Sequence, residues 1–114
     1  LVQHGLVSML QHYKNGKITL EKIVKKMCHN PAVLFQIEKR GFIREGYYAD
    51  LVLIDMNNSW KVNKKNVLYK CGWSPFEDIN FDSKISHTFI NGVLVYKNGK
   101  FNKIPQGRRL TFDR

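Results

Sequence analysis

A chain of 114 residues with 43% hydrophobic residues makes one domain, or one domain with a helical appendage, and can bury a core. No run approaches the roughly 18 apolar residues of a membrane span and no signal peptide leads the chain, so no membrane partner is expected. A formal net charge of +10 raises nucleic-acid binding, but the basic residues come as scattered pairs (Lys25-Lys26, Lys39-Arg40, Lys64-Lys65, Arg108-Arg109) without a recognition motif or interleaved aromatics. The charge reads instead as a solvated surface balanced by acidic residues elsewhere in a longer polypeptide. Cys28 and Cys71 lack metal-type spacing and are expected as reduced thiols in a cytoplasmic protein.

Taken in order, Val2, Leu6, Met9, Leu10 and Tyr13 recur at helical spacing, which predicts a helix over residues 1–14 ended by Asn15-Gly16. Thr19 is placed to cap a second helix, with Glu21 near the positive end of its dipole. Leu20, Ile23, Val24 and Met27 form its apolar stripe, and Lys22, Lys25 and Lys26 its wet side. Asn30-Pro31 predicts a third helix start, because asparagine caps a free N–H and proline lacks the N–H that would go unpaired. That helix is expected to run to Lys39, with Gly41 as its left-handed C-terminal cap.

Residues 28–55 therefore read as a hinge from helices to a sheet, with Gly41 as the boundary. Gly46 marks a turn, and the apolar run Ala49–Ile54 between Asp50 and Asp55 suits a strand covered on both faces. Trp60 and Val62 suggest a short edge strand, residues 67–71 another extended piece, and residues 72–82 a loop. Residues 85–90 and 93–96 flank Asn91-Gly92, a type I′ turn pair that all but dictates a hairpin. Asn98-Gly99 repeats the device and adds Lys100-Phe101 as a third strand. The tail, 105–114, is expected to be extended and held by Leu110 and Phe112.

Local chemistry is sparse. His4 and His12 stand eight apart on one expected helix, not the four that aims two imidazoles at one metal. His29 neighbours Cys28 on a helix, where adjacent side chains diverge, and His87 alternates with Ile85 and Phe89 on a strand face. No serine sits in a nucleophile elbow, Cys28 has no base in a defined relation to it, and no glycine-rich phosphate cradle occurs. Catalytic, cofactor-binding and metal residues are all expected to be absent from this chain.

His29-Asn30-Pro31-Ala32, Gly41, and Glu45-Gly46-Tyr47-Tyr48-Ala49-Asp50-Leu51-Val52-Leu53-Ile54-Asp55 together resemble the C-terminal signature of the amidohydrolase superfamily. Gly72-Trp73-Ser74-Pro75-Phe76-Glu77 makes the chain similar to the cyclic-amide branch, and to the dihydroorotase family most of all, with hydantoinases and allantoinases as alternatives. Asp78 departs from the family's usual Pro-Phe-Glu-Gly, and Asp82-Ser83 replaces a turn glycine. The likeness runs over essentially the whole chain but implies only the last quarter or so of such an enzyme.

The resemblance implies an α+β fragment: two or three helices closing a TIM-barrel hydrolase over residues 1–40, then part of a small composite β-sandwich over 41–114. It implies a parent that opens dihydroorotate to carbamoyl aspartate in pyrimidine synthesis, using a hydroxide activated by a metal centre expected to be binuclear zinc. The superfamily's ligands are a His-x-His pair, a bridging modified lysine, two further histidines and a late aspartate. This sequence holds neither His-x-His nor a Ser-Asp-His run, so the catalytic residues are expected upstream and the fragment's role is structural. Gln3 and His4, at the start of the helix after the last barrel strand, would stand near the active-site mouth. The expected partners are the missing N-terminal part of the polypeptide, a cyclic amide for the parent, and further copies of the chain itself. A free-standing basic α+β binding module is the alternative from another class.

Overall fold

The computed structural model describes residues 2–104 and 106–114; Leu1 and Pro105, the first residues of the expected helix 1–14 and of the expected tail, lie outside them. The protein is small α+β, and its contacts gather into two units: Leu1–Thr19 with Ile54–Lys84, and Leu20–Leu53 with Ile85–Arg114. This grouping runs across the segments 1–40 and 41–114 rather than along their border.

In the first unit a 3-10 turn, Val2–His4, leads into helix α1, Gly5–Lys14, which ends at Asn15-Gly16 as its sequence predicts. Its inward line is His4, Val7 and Leu10, with Gln11 half-buried beside them. The expected stripe of Val2, Leu6, Met9, Leu10 and Tyr13 is corrected by this: Val2 and Tyr13 are exposed. Two polar side chains turn inward because each finds hydrogen-bond partners there, which apolar periodicity cannot anticipate.

Trp60–Lys61 (here β2; β1, Leu51–Asp55, precedes it in the chain) pairs antiparallel with β3, Asn80–Phe81, Trp60 opposite Phe81. Val62 and Phe81 are buried in this unit's core. Residues 67–71 form no strand, with a bend and turn over 69–71 in place of the expected extended piece, and β3 lies inside the expected loop 72–82. Asp78, where the resembled family carries glycine, adopts φ +67° and donates its N–H to Val62 O at 2.9 Å.

The second unit opens with α2, Leu20–Val24, continues as a π-helical turn, Lys25–His29, and closes as α3, Asn30–Leu34. The break expected at Asn30-Pro31 is absent. Asn30 is itself helical (φ −60°, ψ −43°) and its N–H reaches back five residues to Lys25 O. Proline inside a helix clashes with the carbonyl four residues before it, and widening the preceding turn relieves the clash. Only Ile23 of the expected stripe is buried; Leu20, Val24 and Met27 are exposed.

α3 also stops short of Lys39. Ile37 N–H bonds Ala32 O (2.8 Å) and Gln36 N–H bonds Val33 O (3.1 Å), a Schellman closure with Gln36 at φ +54° in the left-handed position. The cap expected at Gly41 is thus supplied by Gln36. Gly41 (φ +79°) is required for another reason, since a Cβ there would lie 2.4 Å from Ala32 Cβ and 2.7 Å from Cys28 O. The backbone returns against the helix so closely that only glycine fits.

A four-stranded sheet in the order β1-β4-β5-β6 follows, with β1 Leu51–Asp55, β4 Lys84–Ile90, β5 Val93–Lys97 and β6 Lys100–Phe101. β1 is an edge strand, and Val52 and Leu53 are 44% and 50% exposed, against the expected cover on both faces. The hairpin forms as its turn pair predicts, with φ +51° at Asn91 and +81° at Gly92. Its register shifts by one residue between Thr88 and Phe89. The tail is held through its backbone, Glu38 N–H to Thr111 O at 3.0 Å and Asp113 N–H to Gln36 O at 2.9 Å, while Leu110 and Phe112 stay largely exposed.

Candidate functional site

Gln3 and His4 are neighbours in sequence whose side chains have separate surroundings, both within the first unit. Gln3 uses both ends of its carboxamide on one loop: Nε2 donates to Asn66 O at 2.7 Å, and Oε1 accepts from Leu68 N–H at 2.8 Å. His4 is completely buried among four rings, Trp60, Tyr69, Phe76 and Phe81, with centroids 5.9–6.2 Å away. Its Nδ1 lies 3.2 Å from Ser74 Oγ, which also accepts Phe76 N–H at 3.1 Å. Ser74 is itself buried, so this contact joins two side chains shielded from solvent. Burial holds the His4 pKa below its ordinary value, which favours the neutral ring. His4 Nε2, Tyr69 OH and Ser83 Oγ are buried without hydrogen-bond partners among the described residues.

These contacts give part of the Gly72–Glu77 motif a physical reason. Ser74 orients the buried imidazole and Phe76 walls it, while Trp73 stays exposed. Gln11, which sequence reading passed over, repeats the device of Gln3: its Nε2 donates to Asp82 Oδ2 (3.0 Å) and its Oε1 accepts Asp82 N–H (2.9 Å). Gln11, with Ser59 at 2.9 Å, holds the Asp82 carboxyl below the usual carboxylate range. The only sequence-level signal was a glutamine on the inward side of α1.

The other histidines stand apart. His12 is exposed, His29 stacks on Phe42 (4.2 Å, 9°), and His87 Nδ1 contacts Ser86 Oγ at 2.9 Å. Among the described residues no group of three or more His, Cys, Asp or Glu could hold a metal ion, and no helix is long and apolar enough to cross a membrane. Cys28 and Cys71 are free and exposed.

In the second unit an open groove of about 520 Å3 runs past Lys39, Arg40, Phe42 and Arg44. Arg44 lies 4.2 Å over Phe42, whose other neighbour is His29, and Arg40 is tied to Asp50, to Asn91 and to the Tyr48 face. The two arginines are engaged with rings and, for Arg40, a carboxylate. The groove offers no nucleophile paired with a base.

A family model described as the amidohydrolase family matches residues 2–95. The chain is similar to a dihydroorotase of Pyrococcus furiosus, 35% identical over 102 residues that cover 90% of this chain and 24% of that protein. It is also similar to an allantoinase of Desulfitobacterium hafniense, 32% identical over 109 residues, 95% of this chain and 24% of that one. Among solved structures it is similar to an L-hydantoinase (dihydropyrimidinase) from Arthrobacter aurescens, with TM-score 0.74 and 28% identity over 82% of this chain and 21% of that one. The chain thus spans about a quarter of the length of the curated relatives it matches.

Proposed function

The chain belongs to the amidohydrolase family, and from that premise we propose that it is the C-terminal part of a dihydroorotase, an enzyme of pyrimidine biosynthesis that reversibly hydrolyses dihydroorotate to N-carbamoyl-aspartate. The observation that carries this reading is the 35% identity, over 90% of the chain, to a protein named dihydroorotase. In the proposal residues 1–40 supply closing helices of a TIM barrel, and residues 41–114 part of a composite β-sandwich. Gln3 and His4 would stand near the barrel mouth. Their contacts within this chain, to Asn66, Leu68 and Ser74, make them braces of that region rather than groups free to meet a substrate.

The binuclear zinc centre of the proposed parent does not fit the residues of this chain. His4 Nδ1 is committed to Ser74 inside a shell of rings, and the remaining histidines stand on separate elements. The metal and its chemistry are therefore assigned to the remainder of a longer cytoplasmic polypeptide, and this chain's role is to close and brace it. A hydantoinase- or allantoinase-like specificity is the second reading, supported by the L-hydantoinase and allantoinase likenesses. The free-standing basic binding module has no comparable support.

The test compares the longer polypeptide that carries this segment with the 114-residue chain alone, each assayed for ring opening of dihydroorotate, hydantoin and allantoin. The longer polypeptide is expected to prefer dihydroorotate. The chain alone, dialysed and then given zinc, is expected to stay at the buffer rate and to hold no stoichiometric metal. Turnover by the chain alone would overturn the assignment of chemistry, and a preference for allantoin or hydantoin would move the substrate class.

A further inference from the structure

The tetrapeptide Lys-Asn-Gly-Lys occurs twice, at residues 14–17 and 97–100, and a third Asn-Gly pair sits at Asn91-Gly92. Glycine after asparagine leaves its backbone nitrogen unhindered for attack on the asparagine carboxamide. In an unfolded chain the two identical tetrapeptides must react alike, so any difference between them comes from the fold.

The fold treats the three pairs differently. Gly16 N–H donates to Tyr13 O at 2.9 Å in the cap of α1, and Asn15 N–H donates to Gln11 O at 3.0 Å. Gly92 N–H donates to Ala49 O at 3.0 Å, and the Asn91 carboxamide is held on both sides, accepting from Arg40 at 3.0 Å and donating to Gln106 O. Asn98 donates its own N–H to Ser86 O at 2.8 Å. Its carboxamide and the Gly99 N–H have no hydrogen-bond partner among the described residues, and both residues are exposed in the β5–β6 turn.

We propose that Asn98 is a site of spontaneous deamidation in the folded chain. The Gly99 nitrogen loses its proton and bonds to Asn98 Cγ; the Cγ–Nδ2 bond breaks and the amide nitrogen leaves as ammonia, closing a five-membered succinimide. Water then opens either carbonyl of that ring, giving aspartate or isoaspartate. Both products lower the chain's formal charge by one unit. Isoaspartate also adds a backbone carbon to a two-residue turn whose length sets the pairing of Tyr96 with Phe101 and of Lys97 with Lys100. β6 is expected to come loose from β5 in that product.

The experiment incubates the native chain at mildly alkaline pH and follows each Asn-Gly peptide by mass spectrometry, with isoaspartate detected by enzymatic methyl transfer. A parallel sample is held in denaturant. In the native chain Asn98 is expected to react faster than Asn15 by on the order of tenfold, the effect of one backbone hydrogen bond that must open first. In denaturant Asn15 and Asn98 are expected to react equally. Equal native rates at the three sites, an intact Asn98 in the native chain, or a gap that persists in denaturant would each overturn the proposal.

Discussion

His4 shows how one buried side chain ties stability to pH. Its folded pKa is lowered by burial from the ordinary 6.5, so between the folded value and 6.5 the unfolded chain binds more protons than the folded one. Stability therefore rises with pH in that window. The contribution is complete above about 6.5 and is lost as pH falls through the folded pKa. Both tryptophans, Trp60 and Trp73, lie in the same unit, so tryptophan fluorescence during urea unfolding reports on it. The His4→Phe variant is expected to flatten the dependence below about pH 6.5 while costing about 1 kcal/mol at about pH 8, because Ser74 loses its partner. An unchanged acid slope in that variant would assign the dependence to another group. Sequence alone marked His4 as a residue of interest through its position, but its setting depends on Ser74 and four rings that come from residues 60–81, which no local pattern connects to it.

At the scale of elements, legibility followed the range of the deciding interaction. The Asn91-Gly92 hairpin was readable because its turn is chosen by two adjacent residues. The course of residues 20–41 was not, since proline's clash could be relieved by a widened turn as well as by a helix break, and Gln36 took the left-handed cap usually left to glycine. Gly41 was singled out correctly as special, for a reason that lies in packing. Gly41→Ala is expected to destabilise the second unit by roughly 2–4 kcal/mol, combining left-handed strain with overlap against Ala32 and Cys28 O. Gly46 (φ +77°) has open space around it, so Gly46→Ala should cost only the strain, about 1–2 kcal/mol. Thermal unfolding followed by circular dichroism separates the two, and equal losses would remove the packing argument.

For the whole molecule, the family was legible because its signature is made of short local motifs, whereas the grouping of contacts was not, because it joins distant stretches. The second unit holds twelve basic against five acidic residues and exposes Leu20, Val24, Met27, Val33, Leu34 and Phe35 along its helical run. With the edge of β1 also uncovered, we propose that the isolated chain self-associates. Because its +10 charge opposes association, sedimentation velocity should show larger species as concentration rises, and more of them at high salt, where repulsion is screened. A single monomeric species under all these conditions would mean that these surfaces need no cover. The interleaving of the two units also sets an order of events on the ribosome. The first unit cannot close until residue 84 has emerged, with the whole of 20–53 as an intervening loop, and the second must wait for strands beyond residue 85. The nascent α1 thus keeps its inward line uncovered until residues 60–81, which supply the rings around His4, have followed it.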